Sequence, residues 1–176
     1  LAKEYNLYYI STGSLLRREI RAGSEIGIKA KDLMINGELV PDEIVIQLIE
    51  QEIKQHKNYR GFIFKGFPRT IVQAYILDGL LRRLDSSVSY CIELNISTLE
   101  SIKRLSNRAK TPQARAYDMN TDVIVHRLEE YQEKTLPVAD FYNKQQKFAT
   151  IDAVGGEENV FKRLCAKVEE AMRILR

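Results

Sequence analysis

The chain has 176 residues, 44% of them hydrophobic and 29% charged, which is enough to bury one sizeable core, so residues 1–176 are expected to form a single domain. Its 27 Lys and Arg against 24 Asp and Glu leave a net charge of +3, too small a surplus to argue for nucleic acid or a membrane surface as partner. No apolar run nears the roughly 20 residues that span a bilayer, and the start Leu1-Ala2-Lys3-Glu4 has no secretory character. Cys91 and Cys165 lie in apolar segments with no second Cys or His at metal-ligand spacing, which points to a reducing, cytoplasmic setting and no cysteine-based metal site.

In chain order, Leu1 to Tyr5 reads as the last turn of a helix that begins upstream. Tyr8-Tyr9-Ile10 is a short strand end that turns through Ser11-Thr12-Gly13 into a helix with Leu15, Leu16 and Ile20 on one face. A second helix covers Ile26 to Asn36 and stops at Gly37, a favoured left-handed terminator. Pro41 at a first helical position, with Asp42 and Glu43 in the first turn, starts a helix that runs to about His56.

Gly61-Phe62-Ile63-Phe64 is a buried strand, followed by a helix over Thr70 to Leu84. Val88 to Ile96 is the clearest strand, and Ser97 with Glu100 forms a capping-box signature for the next helix. After the polar stretch Lys110 to Thr121, a long helix through Val123, Ile124, Leu128 and Tyr131 should be interrupted or kinked at Pro137. Phe148 to Ile151 is a last strand and Asn159 to Leu175 a last helix. Strands alternating with helices imply an α/β fold, a parallel sheet flanked by helices.

The segment Gly61 to Gln73 carries the chemistry: a buried strand ends in Gly-Phe-Pro-Arg and delivers Arg69 at the carboxyl edge of the sheet, where open α/β sheets bind ligands. A guanidinium fork suits a phosphate, and the Gln73 amide suits a nucleobase edge; a plain strand exit with a solvated arginine is the competing reading. Arg104 and Arg108 lie one turn apart on the helix after Ser97 and can face one ligand, or form a solvated basic face.

Ser-Thr-Gly-Ser-Leu-Leu-Arg at 11–17, Gly-Glu-Leu-Val-Pro-Asp-Glu at 37–43 and Gly-Phe-Pro-Arg-Thr at 66–70 occur in the order and at about the spacing found in adenylate kinases, and the chain resembles that family, with a short lid, from about residue 1 to its end. The resemblance implies a P-loop-NTPase-type fold, AMP and ATP as ligands, and Mg2+ as cofactor. It implies a monophosphate-binding helical region at 11–56 and a lid at 109–121. By similarity Thr12 and Arg17 contact the monophosphate nucleotide, with Arg17 on its phosphate. The backbone around Leu39 and Val40 meets the adenine, Gly66 is a further AMP contact, Arg69 holds the phosphate, and Gln73 takes the base. Arg104, Arg108 and Gly155 correspond to the ATP side, and Arg69, Arg104, Arg115 and Arg127 to the residues that stabilise the transferring phosphoryl group.

Four features depart from the family. No segment of the 176 residues matches G-x-x-x-x-G-K-S/T, so the donor's phosphate loop and the strand that feeds it, the centre of the family's sheet, are not among them. Lys65 stands where the family has an aspartate associated with magnesium, which disfavours the metal. Ser14 stands where many members have Asp, and Tyr117 replaces one of two lid aspartates, leaving Asp118. The departures imply weak or no transfer by these residues alone. The readings left open are an active kinase with its loop encoded upstream, an inactive nucleotide-binding or scaffold domain, and a structural module. A protein partner or an upstream segment is expected to complete the sheet.

Overall fold

The computed structural model describes residues 1–174, so Leu175, the expected end of the last helix, lies outside the described residues. In order, the elements are α1 (Ala2–Tyr5), β1 (Tyr8–Ser11), α2 (Thr12–Ala22), α3 (Glu25–Asn36), α4 (Asp42–Gln55), β2 (Phe62–Lys65) and α5 (Ile71–Arg82). They continue with β3 (Cys91–Asn95), α6 (Thr98–Arg108), a 3₁₀ turn at Ala116–Met119, α7 (Thr121–Glu130), a π-helical turn at Tyr131–Thr135, α8 (Leu136–Asn143), β4 (Phe148–Asp152) and α9 (Glu157–Ile174).

Both strand pairings are parallel, as alternating strands and helices require: β1 with β2, placing Ser11 opposite Lys65, and β3 with β4, placing Asn95 opposite Asp152. Among the described residues these are two separate two-stranded sheets, not one continuous sheet. Each strand therefore keeps one edge of backbone donors and acceptors without a ladder partner. Tyr9 and Leu94, 47% and 53% exposed, are bulky apolar residues left uncovered on these strands.

The β1–β2 half packs on α2, α3, α4 and α5 through Ile10, Leu16, Ile49, Ile53 and Leu77, each at most 7% exposed. Gly27 lets α3 lie directly on α2, because a methyl group there would overlap the Glu19 carbonyl. A polar clasp closes the same half: Glu52, 4% exposed, accepts from the Tyr8 hydroxyl at 3.0 Å and pairs with Arg18 at 2.9 Å, while the Tyr8 ring stacks on His56 at 3.7 Å. Burying a carboxylate is tolerable only with such partners. The β3–β4 half packs on α8, and Ala74 of α5 joins Val138 and Tyr142 of α8 to link the two halves.

Local chemistry explains where elements stop. Gly37 takes a left-handed φ of 84° and ends α3. Pro41 is the cap of α4 and Asp42 its first residue, one position later than the proline preference predicts. Ser97 accepts the Glu100 N–H as expected, yet the Glu100 carboxylate turns to Arg104 at 2.8 Å, so only half of the capping box forms. The strand expected over Val88 to Ile96 is ladder-bonded only over Cys91–Asn95, because β4 offers five residues to pair with it. Pro137 does not break the helix. The π-helical turn of Tyr131–Thr135 precedes it and the proline sits in the first turn of α8, where its missing N–H costs little.

Candidate functional site

Because β1 and β2 run parallel with Ser11 opposite Lys65, the residues that follow them, Thr12 and Gly66, emerge side by side. The Thr12 hydroxyl donates to the Gly66 carbonyl at 2.8 Å. Gly66 has a φ of +73°, and a Cβ there would sit 2.9 Å from both Arg69 Nη2 and Thr12 Oγ1, so only glycine serves. Arg69 Nε donates to the same carbonyl at 3.0 Å, which fixes the guanidinium beside the turn.

One cleft is lined by Thr12, Arg17, Leu39, Val40, Gly66, Arg69 and Gln73, and also by Arg115, Tyr117 and Arg127. The structure thus gathers every residue predicted for the monophosphate side, and three of the four arginines predicted for the transferring group, Arg69, Arg115 and Arg127. Gln73 is 2% exposed; its Oε1 accepts the Arg69 N–H at 2.8 Å and its Nε2 donates to Asp42 Oδ1 at 2.7 Å.

Among the described residues, none of Arg17, Arg69, Arg115 and Arg127 makes an ion pair. Burial, then the neighbouring charge of Arg127, holds Arg69 below the ordinary arginine value; burial depresses Arg127 as well, and burial followed by Arg115 depresses Arg17. The exposed Glu38 also lines the cleft but pairs with none of these guanidiniums among the described residues, and like charges gathered in this way are an attractor for an oxyanion.

In the sequence Tyr117 shows only as a lost aspartate. The ring, 7% exposed, lies under the guanidiniums of Arg127 at 4.1 Å, Arg108 at 5.7 Å and Arg115 at 6.0 Å, and its hydroxyl accepts from Arg115 at 2.7 Å. The ring face offers negative potential to three cations without neutralising any of them. No signal in a lone tyrosine within a polar stretch announces this.

Asp118 anchors the same segment. It is 3% exposed, takes both Arg108 donors at 2.8 and 2.7 Å and accepts the Arg115 N–H at 3.0 Å. Burial resists its ionisation, but the Arg108 and Arg115 hydrogen bonds outweigh that and hold the carboxyl below the ordinary 3.8. A depressed folded value contributes stability above the unfolded value and loses it as pH falls through the folded one. The segment 109–121 should therefore hold unchanged from pH 8 to pH 5 and loosen only below about pH 4. Near-UV circular dichroism of its tyrosine, followed during acid titration against Asp118→Asn, checks this.

Arg104 is placed elsewhere. It pairs with Glu100 at 2.8 Å and donates to the carbonyls of Ala153 at 3.0 Å and Gly155 at 3.4 Å. It lines a second, shallow groove with Gly155 and Phe161 rather than the arginine cleft. Arg108, its predicted companion, is held by Asp118, so the two arginines one turn apart do not converge on a common space in this state.

The fold and cleft define a class: a parallel α/β protein with uncompensated cations and a buried carboxamide at the carboxyl ends of its first strand pair. The family model for Adenylate kinase matches residues 1–147. The chain is 38% identical over 169 residues to an adenylate kinase of Flavobacterium johnsoniae, covering 96% of this chain and 88% of the relative. It is 39% identical over 164 residues to one of Parabacteroides distasonis, covering 93% and 85%, and 37% identical over 164 residues to one of Xanthomonas campestris pv. campestris, covering 93% and 87%. The chain belongs to the adenylate kinase family, and its ancestry is phosphoryl transfer between ATP and AMP.

Proposed function

We propose that these 176 residues bind AMP in the arginine-lined cleft and, by themselves, transfer a phosphoryl group weakly or not at all. The observation that carries this is the set of guanidiniums without ion pairs among the described residues, Arg17, Arg69, Arg115 and Arg127, around Thr12, Gly66 and Gln73. Arg17 and Arg69 take the phosphate, Thr12 and the backbone of Leu39, Val40 and Gly66 frame the nucleoside, and Gln73 meets the base. In this reading residues 11–56 are the monophosphate-binding region and 109–121 the lid. Arg104, Arg108 and Gly155 form what remains of the ATP side, and Arg115 and Arg127 stabilise charge on a transferring group when a donor is present.

Adenylate kinases use Mg2+, but the groups here do not fit a divalent cation. Lys65 is exposed at the end of β2, beside the turn that carries Arg69, and an ammonium there repels the ion that a carboxylate would hold. AMP capture needs no metal. The two separate strand pairs support one more reading, that a parallel strand from outside these residues joins them and restores a continuous sheet. The two free thiols suit a reducing compartment such as the cytoplasm.

The test is calorimetric titration of this chain with AMP, with ATP plus magnesium, and with a bisubstrate analogue of two adenosines joined by five phosphates. Binding of AMP alone is the expected result. Tight magnesium-dependent binding of the bisubstrate analogue would overturn the reading of a depleted donor side.

A further inference from the structure

We infer that Asp42 is a specificity-determining positioning residue: its carboxylate fixes which way round the Gln73 carboxamide faces the cleft, and with it the choice between a 6-amino and a 6-oxo purine monophosphate. The inference rests on the monophosphate reading of the cleft given above. A primary amide has a donor end and an acceptor end on a nearly symmetrical frame, and free rotation would let it serve either edge pattern. Adenine presents an acceptor at N1 beside a donating amino group. Hypoxanthine presents a donating N1–H beside a carbonyl acceptor, the same positions with the roles exchanged.

The amide of Gln73 cannot turn over. Nε2 donates to Asp42 Oδ1 at 2.7 Å, and Oε1 accepts the Arg69 backbone N–H at 2.8 Å. Reversing it would set an amide oxygen against the carboxylate and an N–H against an N–H. The side chain is 2% exposed, so water does not relieve either clash, and unmet polar contacts in such a place are costly.

The carboxylate is itself held. Thr70 Oγ1 donates to Asp42 Oδ2 at 3.0 Å and accepts the Gln73 backbone N–H at 3.1 Å. A ring of Asp42, Thr70 and Gln73 therefore joins the start of α4 to the start of α5. An ionised carboxylate can only accept, so its neighbour must be the amide nitrogen.

With these partners satisfied, Gln73 retains one N–H and one oxygen lone pair for a ligand, and the side chain lines the cleft. A phosphate held on Arg17 and Arg69 keeps the base from sliding one position along. The donor then meets adenine N1 and the acceptor meets the 6-amino group, whereas a 6-oxopurine meets like with like. At Asp42→Asn the neighbouring side chain offers an N–H as readily as an oxygen, so one of the two restraints is lost and only the Arg69 N–H still favours the native orientation.

The experiment titrates AMP and inosine monophosphate into the native chain and into D42N by calorimetry, with each protein's fold checked by circular dichroism. The native chain is expected to prefer AMP by about tenfold or more, and D42N to bring the two ligands within about threefold, a change of roughly one hydrogen bond. An unchanged ratio in folded D42N means that Asp42 serves only the helix start, and overturns the inference. Failure of the native chain to bind AMP at all overturns the monophosphate reading first, and is told apart because it needs no variant.

A second measurement is independent of the variant's folding. In the native protein the Gln73 side-chain amide protons, observed by 15N-resolved NMR, should differ: one protected from exchange by Asp42 and unmoved by ligand, the other shifted on adding AMP. Two protons that exchange equally fast, or that both shift on adding AMP, overturn the inference.

Discussion

Replacing Arg69 by alanine should weaken AMP binding by about a hundredfold, the loss expected when a fork of charge-assisted hydrogen bonds to a phosphate is removed. Among the described residues Arg69 has no ion pair to lose, its Nε is anchored on the Gly66 carbonyl at 3.0 Å, and it stands against the charge of Arg127. The melting temperature of the ligand-free variant should therefore hold steady or rise, since a cation crowded by another cation is relieved. Arg69→Lys should recover part of the binding but not all, because a point charge replaces a planar fork. Calorimetry against AMP, paired with thermal unfolding, checks both halves. Loss of binding together with a collapsed melting temperature would mean that Arg69 is a structural residue.

Tyr142→Ala should be among the most destabilising single changes, about 3–5 kcal/mol, as for other large side chains emptied from a core. Tyr142 is 0% exposed, packs with Ala74 and Val138 at the junction of the two halves, and meets Phe141 edge-on at 5.0 Å. Its hydroxyl reaches Asp78 only at 3.5 Å, a weak bond, so Tyr142→Phe should cost less than about 1 kcal/mol. The difference between the two variants assigns the loss to ring volume rather than to the hydroxyl. Urea unfolding at equilibrium measures it, against a total of about 5–15 kcal/mol for a domain.

The alternation of strands and helices was legible from period alone, and so were the ends written in single residues, such as Gly37 and the Ser97 cap. Partner-dependent features were not. The length of β3 is set by β4, whose paired residues lie 57 positions further on in the chain, and the path through Pro137 is set by a π-helical turn that no local preference announces. In the cleft, Arg69 and Gln73 could be picked out because their motif is contiguous.

Asp42 was read as a helix-start charge, which it is, but its bond to Gln73 spans 31 residues and exists only once α4 and α5 are side by side. The pairing of Arg104 and Arg108 misled for a related reason: spacing puts both on one helix face, and their carboxylates, Glu100 for one and Asp118 for the other, decide where each points.

The stack at Tyr117 changes when the cost of gathering positive charge falls due. The ring of Tyr117 can keep Arg115 and Arg127 together while the cleft holds no anion, so their side-chain freedom is surrendered when the chain folds and not when a ligand arrives. Each long side chain already ordered spares an incoming phosphate about 0.5–1.5 kcal/mol of immobilisation. A neutral ring does this for Arg115 and Arg127 without a competing salt bridge of the kind that holds Arg108 on Asp118, which leaves those two guanidiniums assembled and still available.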